Sequence, residues 1–231
     1  MSLFGQGLLE ALRLLAAGDP EVWQITWLSL QVSATATVLS LLVGVPLGAG
    51  LALSRFPGRG LVVSLVNTGM GLPPVVVGLF VTIVLWRNGV LGFLELLYTP
   101  TAMVVGQFVI AAPIVTGLTL AAVQQVPAAF RLQMLGLGAS RVQMIWVLLK
   151  EARLPMLAAV MAGFGGVISE VGASMMLGGN IKGSTRVLTT ATVLETGKGN
   201  FDVAIALSVI LLAITFLVNW ALSWIQQRHR A

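Results

Sequence analysis

The chain has 231 residues, of which 57% are hydrophobic and only 9% charged, with a mean hydropathy of +0.97. A water-exposed domain carries about 25% charged residues, so the composition excludes an ordinary soluble domain and places the chain in a membrane. With no cysteine and one histidine, His229, disulfides, thiolate metal sites and most histidine chemistry are excluded, and the net charge of +5 reports orientation in a bilayer rather than nucleic-acid binding.

The first segment, residues 1–22, places Leu8, Leu9, Leu12 and Leu15 at helical spacing. An amphipathic helix on the membrane surface fits it better than a cleaved signal peptide. Glu10 and Arg13 interrupt the apolar stretch, and no basic stretch precedes it.

Residues 23–231 read as one transmembrane domain, all-α and polytopic. The charge-free segments 22–54, 60–86, 96–130 and 203–227 each exceed the roughly 20 residues that a helix needs to cross about 30 Å of hydrocarbon. A fifth candidate, between Arg153 and Lys182, is broken only by Glu170. Five spans are therefore expected, near 24–53, 61–86, 101–125, 157–178 and 203–226. Solid apolar runs, rather than alternating ones, exclude a β-barrel.

Span two contains "GMGLPPVVVGLF" (69–80), with two prolines at membrane depth. A break there is tolerated only where protein or a water cavity satisfies the freed carbonyls. Pro73 and Pro74 are thus candidates to line a pathway, or to form a kink packed on span four. Between spans three and four lies a long connection, about 126–153, where 2–8 residues are usual. Pro127 opens a helix, Gly136 and Gly138 make a turn, and "VQMIWVLL" starts a second helix. Such an exposed, partly apolar hairpin needs a partner to cover it, unless it re-enters the membrane interface.

Span four carries Glu170 in an otherwise uncharged run, at a cost of about 2.5–3.5 kcal/mol by analogy with other central charges. Helical spacing would put Gly163, Gly166, Ala173 and Ser174 on its side, a face that allows close packing. Glu170 is expected to face the bundle interior, hydrogen-bonded to a neighbouring helix or another subunit and setting gate geometry. The next loop, "GGNIKGSTR" (178–186), offers Asn180, Lys182 and Arg186 to a partner or an anion, or is a plain Gly-rich turn. The threonines of 189–196 are possible anion donors, but at a helix edge threonine more often bonds its own backbone.

Charge fixes the sidedness. Arg55, Arg59, Arg131, Arg141, Lys150, Arg153, Arg228 and Arg230 share one set of ends with a single acid, Glu151. Arg13, Arg87, Lys182, Arg186 and Lys198 share the other with Glu10, Asp19, Glu21, Glu95, Glu195 and Asp202. The positive-inside rule assigns the first set to the cytoplasm, with the N-terminus outside and the C-terminus inside.

The segment "GLGASRVQMIWVLLKEARLP" resembles the cytoplasmic coupling loop of ATP-binding-cassette (ABC) importer permeases of the type I fold. Gly138 and Ala139 match the Gly-Ala of the EAA motif of that family. Leu132, Gln133 and Met134 stand where the motif has Glu-Ala-Ala, and Lys150-Glu151 where it has Leu-Pro. Downstream, residues 164–212 resemble permeases for group VI oxyanions such as molybdate, and "GGNIKGSTRVLTTATVLET" (178–196) is closer to those for tungstate. The likeness runs from about residue 20 to the end.

The resemblance implies a permease homodimer, two ATPase subunits and an extracytoplasmic oxyanion-binding protein, in the inner membrane of a prokaryote. It implies ATPase coupling through Arg131, Leu135, Gly138, Ala139, Ser140 and Arg141, on a coupling helix near 131–141. Beside it, the residues themselves make Glu170, Pro73 and Pro74 the gate or pathway candidates, and Asn180, Lys182 and Arg186 the candidates for binding-protein or anion contact. Molybdate or sulfate as cargo, or a channel or secondary-transporter subunit, are the alternatives. The chain lacks the G-x-x-x-x-G-K-[ST] phosphate loop, so no cofactor is expected on it; ATP and Mg would be used by the partner ATPase. It shows no inverted repeat of the secondary-transporter kind, no ring of pore charges, and no paired carboxylates for catalysis.

Overall fold

In the computed structural model the described residues are 3–228; the side chains at 3, 4, 6, 15, 141 and 228 are outside the description. Eleven α-helices and one 3-10 turn make up the described chain, with no strand among those residues. The helices are α1 (Leu3–Ala17), α2 (Pro20–Leu53), α3 (Arg59–Met70), α4 (Pro74–Leu85), α5 (Pro100–Gln124), α6 (Ala128–Gly136), α7 (Arg141–Glu151), α8 (Arg153–Ile168), α9 (Gly172–Gly178), α10 (Leu188–Gly197) and α11 (Phe201–Arg228).

Local chemistry sets the starts of the long helices. Asp19 Oδ1 accepts the Val22 N–H at 3.0 Å, with Pro20 in the first turn of α2. Thr99 Oγ1 accepts the Ala102 N–H at 3.3 Å, with Pro100 opening α5. Each cap satisfies a donor that the helix itself leaves free.

Lipid supplies no hydrophobic force between helices, so close backbone approach must hold the bundle together. The spine is α2 against α5, and small residues make it possible. A Cβ on Gly44 would lie 2.8 Å from a Val115 methyl, and one on Gly48 would lie 2.5 Å from the Thr116 carbonyl oxygen. Val32 shares a cluster with Met103, and Ala49 shares another with Val123, so the two helices run parallel. Parallel neighbours require one return crossing between them, which α3 and α4 provide.

α8 begins beside Ala49 and Val123, while α9 ends beside Met103, so this pair runs back. α11 starts against Val22 and Ile25, and Gln226 Nε2 reaches the Leu154 carbonyl at 3.2 Å. The chain thus crosses the bundle five times. Among the described residues, α2, α5 and α11 alone are single helices long and apolar enough to span; the other two crossings are bent pairs.

Those bends correct part of the sequence reading. Span two is broken at Pro73, as the prolines require, with α3 and α4 at 102°. Span four, expected as one helix over 157–178, ends at Ile168 and restarts at Gly172 with a 57° bend. Ser169 Oγ donates back to the Gly165 carbonyl at 2.7 Å, closing α8 before Glu170. Glu170 therefore does not share a helical face with Gly163, Gly166, Ala173 and Ser174.

At the N-terminus, α1 lays Gly7, Ala11 and Leu14 against other helices, Gly7 touching Ile205 of α11, and leaves Leu8, Leu9 and Leu12 exposed. Exposed tryptophans mark two levels, as in interfacial belts. Trp23, Trp27 and Trp86 stand near one end of the crossings; Trp220, Trp224 and, in α7, Trp146 stand near the other.

Candidate functional site

Three regions hold the residues singled out in the sequence. At the basic end, α6 and α7 form a hairpin. Its turn is a Schellman motif: the Gly138 N–H donates to Leu135 and the Ala139 N–H to Met134, both at 3.0 Å. Gly138 has φ +79°, the left-handed conformation such a turn needs, and nothing lies within 4 Å of where its Cβ would be. Ser140 then caps α7, accepting the Gln143 N–H at 3.3 Å, while Gln143 Oε1 accepts the Ser140 N–H at 2.8 Å. Residues 131–141 are thus a helix end and a turn, not one coupling helix.

The hairpin leaves Leu132, Leu135, Leu137, Val142 and Trp146 exposed, Leu137 and Val142 to about four fifths. A hollow of about 630 Å³ runs beside the turn, lined by Met134, Leu137, Gly138, Ala139, Val142, Gln143, Trp146 and Val147. Leu135 lies in a second hollow of about 710 Å³, with Leu53, Arg55 and Ile145. Arg131 behaves differently: its guanidinium folds back and donates to the Val123 carbonyl at 3.0 Å, capping α5. The Arg141 side chain is outside the described residues.

In mid-bundle, Glu170 caps the restart of the broken span. Its Oε1 accepts the Ala173 N–H at 2.9 Å, so within the chain its partner is its own next helix rather than a neighbouring one. Thr189 of α10 donates to the Glu170 carbonyl at 3.0 Å, tying down the break. Gly172 leaves room for Val75, one residue after Pro74: a Cβ there would sit 2.7 Å from its methyl. The two breaks therefore pack on each other, which brings Pro73, Pro74 and Glu170 into one region. Gln107, buried in α5, donates to Ser174 Oγ of α9 at 3.2 Å. Gln107 was missed, although a lone amide in the apolar run 101–123 is the same signal that singled out Glu170.

The cap predicts an asymmetry between two substitutions. Glu170→Gln keeps an acceptor oxygen for the Ala173 N–H and is expected to leave thermal unfolding near wild type. Glu170→Ala loses it and is expected to destabilise by about 1 kcal/mol. Equal unfolding midpoints for the two variants would contradict the capping role.

At the opposite end, the loop after α9 is pinned. Lys182 Nζ lies 2.6 Å and the Arg186 guanidinium 3.2 Å from the two carboxylate oxygens of Glu21. Gln24 Nε2 donates to the Gly183 carbonyl at 3.0 Å, and Thr185 Oγ1 to the Gly178 carbonyl at 2.5 Å. Asn180 takes φ +52° and donates to the Thr190 carbonyl at 3.4 Å. Both cations expected to meet an anion are therefore already paired within the chain. Glu21 is 161 residues from Lys182, and no local pattern announces the contact. Of the other threonines, Thr190, Thr192 and Thr196 each bond backbone carbonyls of their own helix or its cap.

Beside them, Glu195 accepts from Asn200 and from Lys198, both at 2.7 Å. The Asn200 amide first, then the Lys198 ammonium, hold its carboxyl below the ordinary carboxylate range. A lowered folded value means stability that is present above the unfolded value, about 4.3, and lost as pH falls through the folded one. The acid limb of a thermal-unfolding titration is expected to be shallower in Glu195→Gln than in wild type.

The profile of binding-protein-dependent transport system inner membrane components matches residues 44–231. A tungstate uptake system permease protein of Peptoclostridium acidaminophilum is 38% identical over 98% of this chain and its own full length. A probable anion ABC transporter permease protein of Haloferax volcanii is 42% identical over 84% of this chain and 86% of its own. Among solved structures, a chain of the inward-facing MetNI methionine ABC transporter superposes with a TM-score of 0.75 at 22% identity, over 91% of this chain and 98% of that one.

Proposed function

Because the chain belongs to the family of binding-protein-dependent transport system inner membrane components, we propose that it is the permease subunit of an ATP-driven tungstate importer. The exposed apolar hairpin α6–α7 carries this reading. A membrane protein with no phosphate loop that presents such a surface at its basic end needs a partner there, and an ATPase subunit supplies both the cover and the energy. ATP and Mg belong to that partner; this chain binds no cofactor.

The basic end, with Arg55, Arg59, Arg131, Lys150 and Arg153, faces the cytoplasm by the positive-inside rule, in the inner membrane of a prokaryote. The span-one N-terminus, Glu21 and the 178–186 loop then face outward, toward an oxyanion-binding protein. Five crossings enclose too little for a pathway, so two copies pair about a two-fold axis with two ATPase subunits below. Gly138, Ala139, Ser140 and Leu135 form the docking turn, and motion of the hairpin is passed on through α7 and α8. The packed breaks at Pro73–Pro74 and Glu170 are the bend that such motion works on.

Glu170 itself does not meet the cargo on this reading, because a carboxylate would repel a dianion and its acceptor oxygen is spent on α9. Tungstate is favoured over molybdate and sulfate by the tungstate permease that matches the chain along its whole length. Vesicles carrying the complete transporter and its binding protein are expected to accumulate tungstate in competition with excess molybdate and sulfate. Displacement of tungstate by an equal concentration of sulfate would reassign the cargo.

A further inference from the structure

On the face taken above as external, five cations are described: Arg13, Arg87, Lys182, Arg186 and Lys198. Four of them sit against carboxylates: Arg13 on Glu10, Lys182 and Arg186 on Glu21, and Lys198 on Glu195. Arg87 alone among these five has no acid partner. The hollow beside Arg186 is lined by Asp19, Glu21 and Glu195, which makes it unfavourable for an anion. The free positive charge of this face is therefore at Arg87, a residue that motif reading did not single out.

Arg87 stands in a built surface. α4 ends at Leu85, and the chain folds back on it, with the Leu91 N–H donating to the Val84 carbonyl at 2.9 Å. Gly89 and Gly92 press against the carbonyls of Ile83 and Trp86 so closely that no Cβ fits. On the far side Tyr98 takes φ +63°, donates its N–H to the Leu177 carbonyl at 2.8 Å and lays its ring on Gly179. A bulky residue held in that conformation needs its surroundings to fix it. Between these walls lies a cavity of about 490 Å³, lined by Trp86, Arg87, Asn88, Leu97 and Tyr98.

The lining contains no carboxylate. It offers a guanidinium, whose fork pairs two oxygens of one anion at once, and a carboxamide, flanked by two half-exposed aromatic side chains. Through Tyr98 it rests on the last turn of α9, at the outer mouth of the broken crossing. We propose that this cavity binds a tetrahedral oxyanion at the outer membrane boundary. The orientation it assumes is that of the permease reading above. Two sources share the chemistry: the transported anion on its way in, and the phosphate of a lipid headgroup.

The test uses the complete transporter, with its ATPase subunits and binding protein, in vesicles of glycerophospholipid and in vesicles of phosphorus-free galactolipid. Arg87→Gln is expected to lower ATP-dependent tungstate uptake about tenfold, the size of one charge-assisted hydrogen bond. Arg87→Lys, which keeps the charge but not the fork, is expected to recover part of it, with co-purification of the ATPase unchanged in both variants. A deficit of Arg87→Gln in both lipids identifies the free anion as ligand; one confined to phospholipid identifies the headgroup phosphate. Uptake by Arg87→Gln equal to wild type in both lipids would overturn the proposal. So would an Arg87→Lys variant as defective as Arg87→Gln. Absence of ATP-dependent uptake by the wild-type complex in phospholipid would count against the permease reading instead.

Discussion

Replacing Gly48 by valine is expected to prevent the permease from accumulating in the membrane as a folded protein. At Gly48 the backbone of α2 runs against α5, and a Cβ would lie 2.5 Å from the Thr116 carbonyl oxygen and 2.8 Å from the Thr119 Cβ. Neither neighbour can retreat cheaply, because both belong to the middle of a long helix. To admit a valine, the helices must separate along Gly44, Gly48 and the matching run Val115–Thr119. That loses the van der Waals contact which, in lipid, replaces hydrophobic force as the source of helix association. Overpacking a tight interior costs about 1–3 kcal/mol where side chains can adjust, and more is expected here because backbone is what is struck. Gly50, two residues on, has open space around it, so Gly50→Val provides the control. Monodisperse protein in detergent from Gly50→Val but not from Gly48→Val is the expected outcome; equal recovery of both would contradict the α2–α5 spine.

The second large effect separates folding from assembly. Gly138→Asp is expected to leave the helices intact but to abolish co-purification of the ATPase and, with it, uptake. The fold tolerates the change because a Cβ added at Gly138 would have nothing within 4 Å, and Asp is among the few residues that visit the left-handed region readily. The docking surface does not tolerate it. The new carboxylate would stand at the rim of the hollow formed by Leu137, Val142 and Trp146, where burial under a partner would cost several kcal/mol without a counter-charge. Gly138→Asn keeps the conformational tolerance without the charge, and it is expected to bind the ATPase more weakly but measurably. If Gly138→Asp retained its ATPase and transported normally, the hairpin would not be the coupling element.

Much of this architecture is legible in the chain itself, where one physical rule dominates. Charge-free length marks the crossings, proline chemistry marks the break at Pro73, and the Gly138 turn follows from the helix-stop signals around it. The break at Glu170 is illegible for a specific reason. Hydropathy and helical period both continue smoothly through 157–178, and a carboxylate that caps a half-helix looks the same in sequence as one that faces a neighbour. Ser169, which folds its hydroxyl back on Gly165, is the nearest local sign.

Pairing at a distance is the other blind spot. Lys182 and Arg186 look like the free cations of their end of the bundle until Glu21 is brought against them, while Arg87 looks like an ordinary loop residue until the absence of an acid beside it is seen. Arg131 likewise looks like a partner contact, yet its guanidinium reaches back to the end of α5. In each case the residue type was informative, and its neighbours, set by the tertiary fold, decided its role.

On the proposed reading, this chain moves an oxyanion only when an ATPase drives its α6–α7 hairpin. That dependence is tested most directly by loading proteoliposomes with the purified chain, with and without the ATPase subunits, and following tungstate presented on the binding protein. Accumulation is expected to require ATP, the ATPase subunits and the binding protein together, and to disappear with Gly138→Asp. Tungstate flux or ionic conductance through the chain alone, without ATPase or ATP, would contradict it.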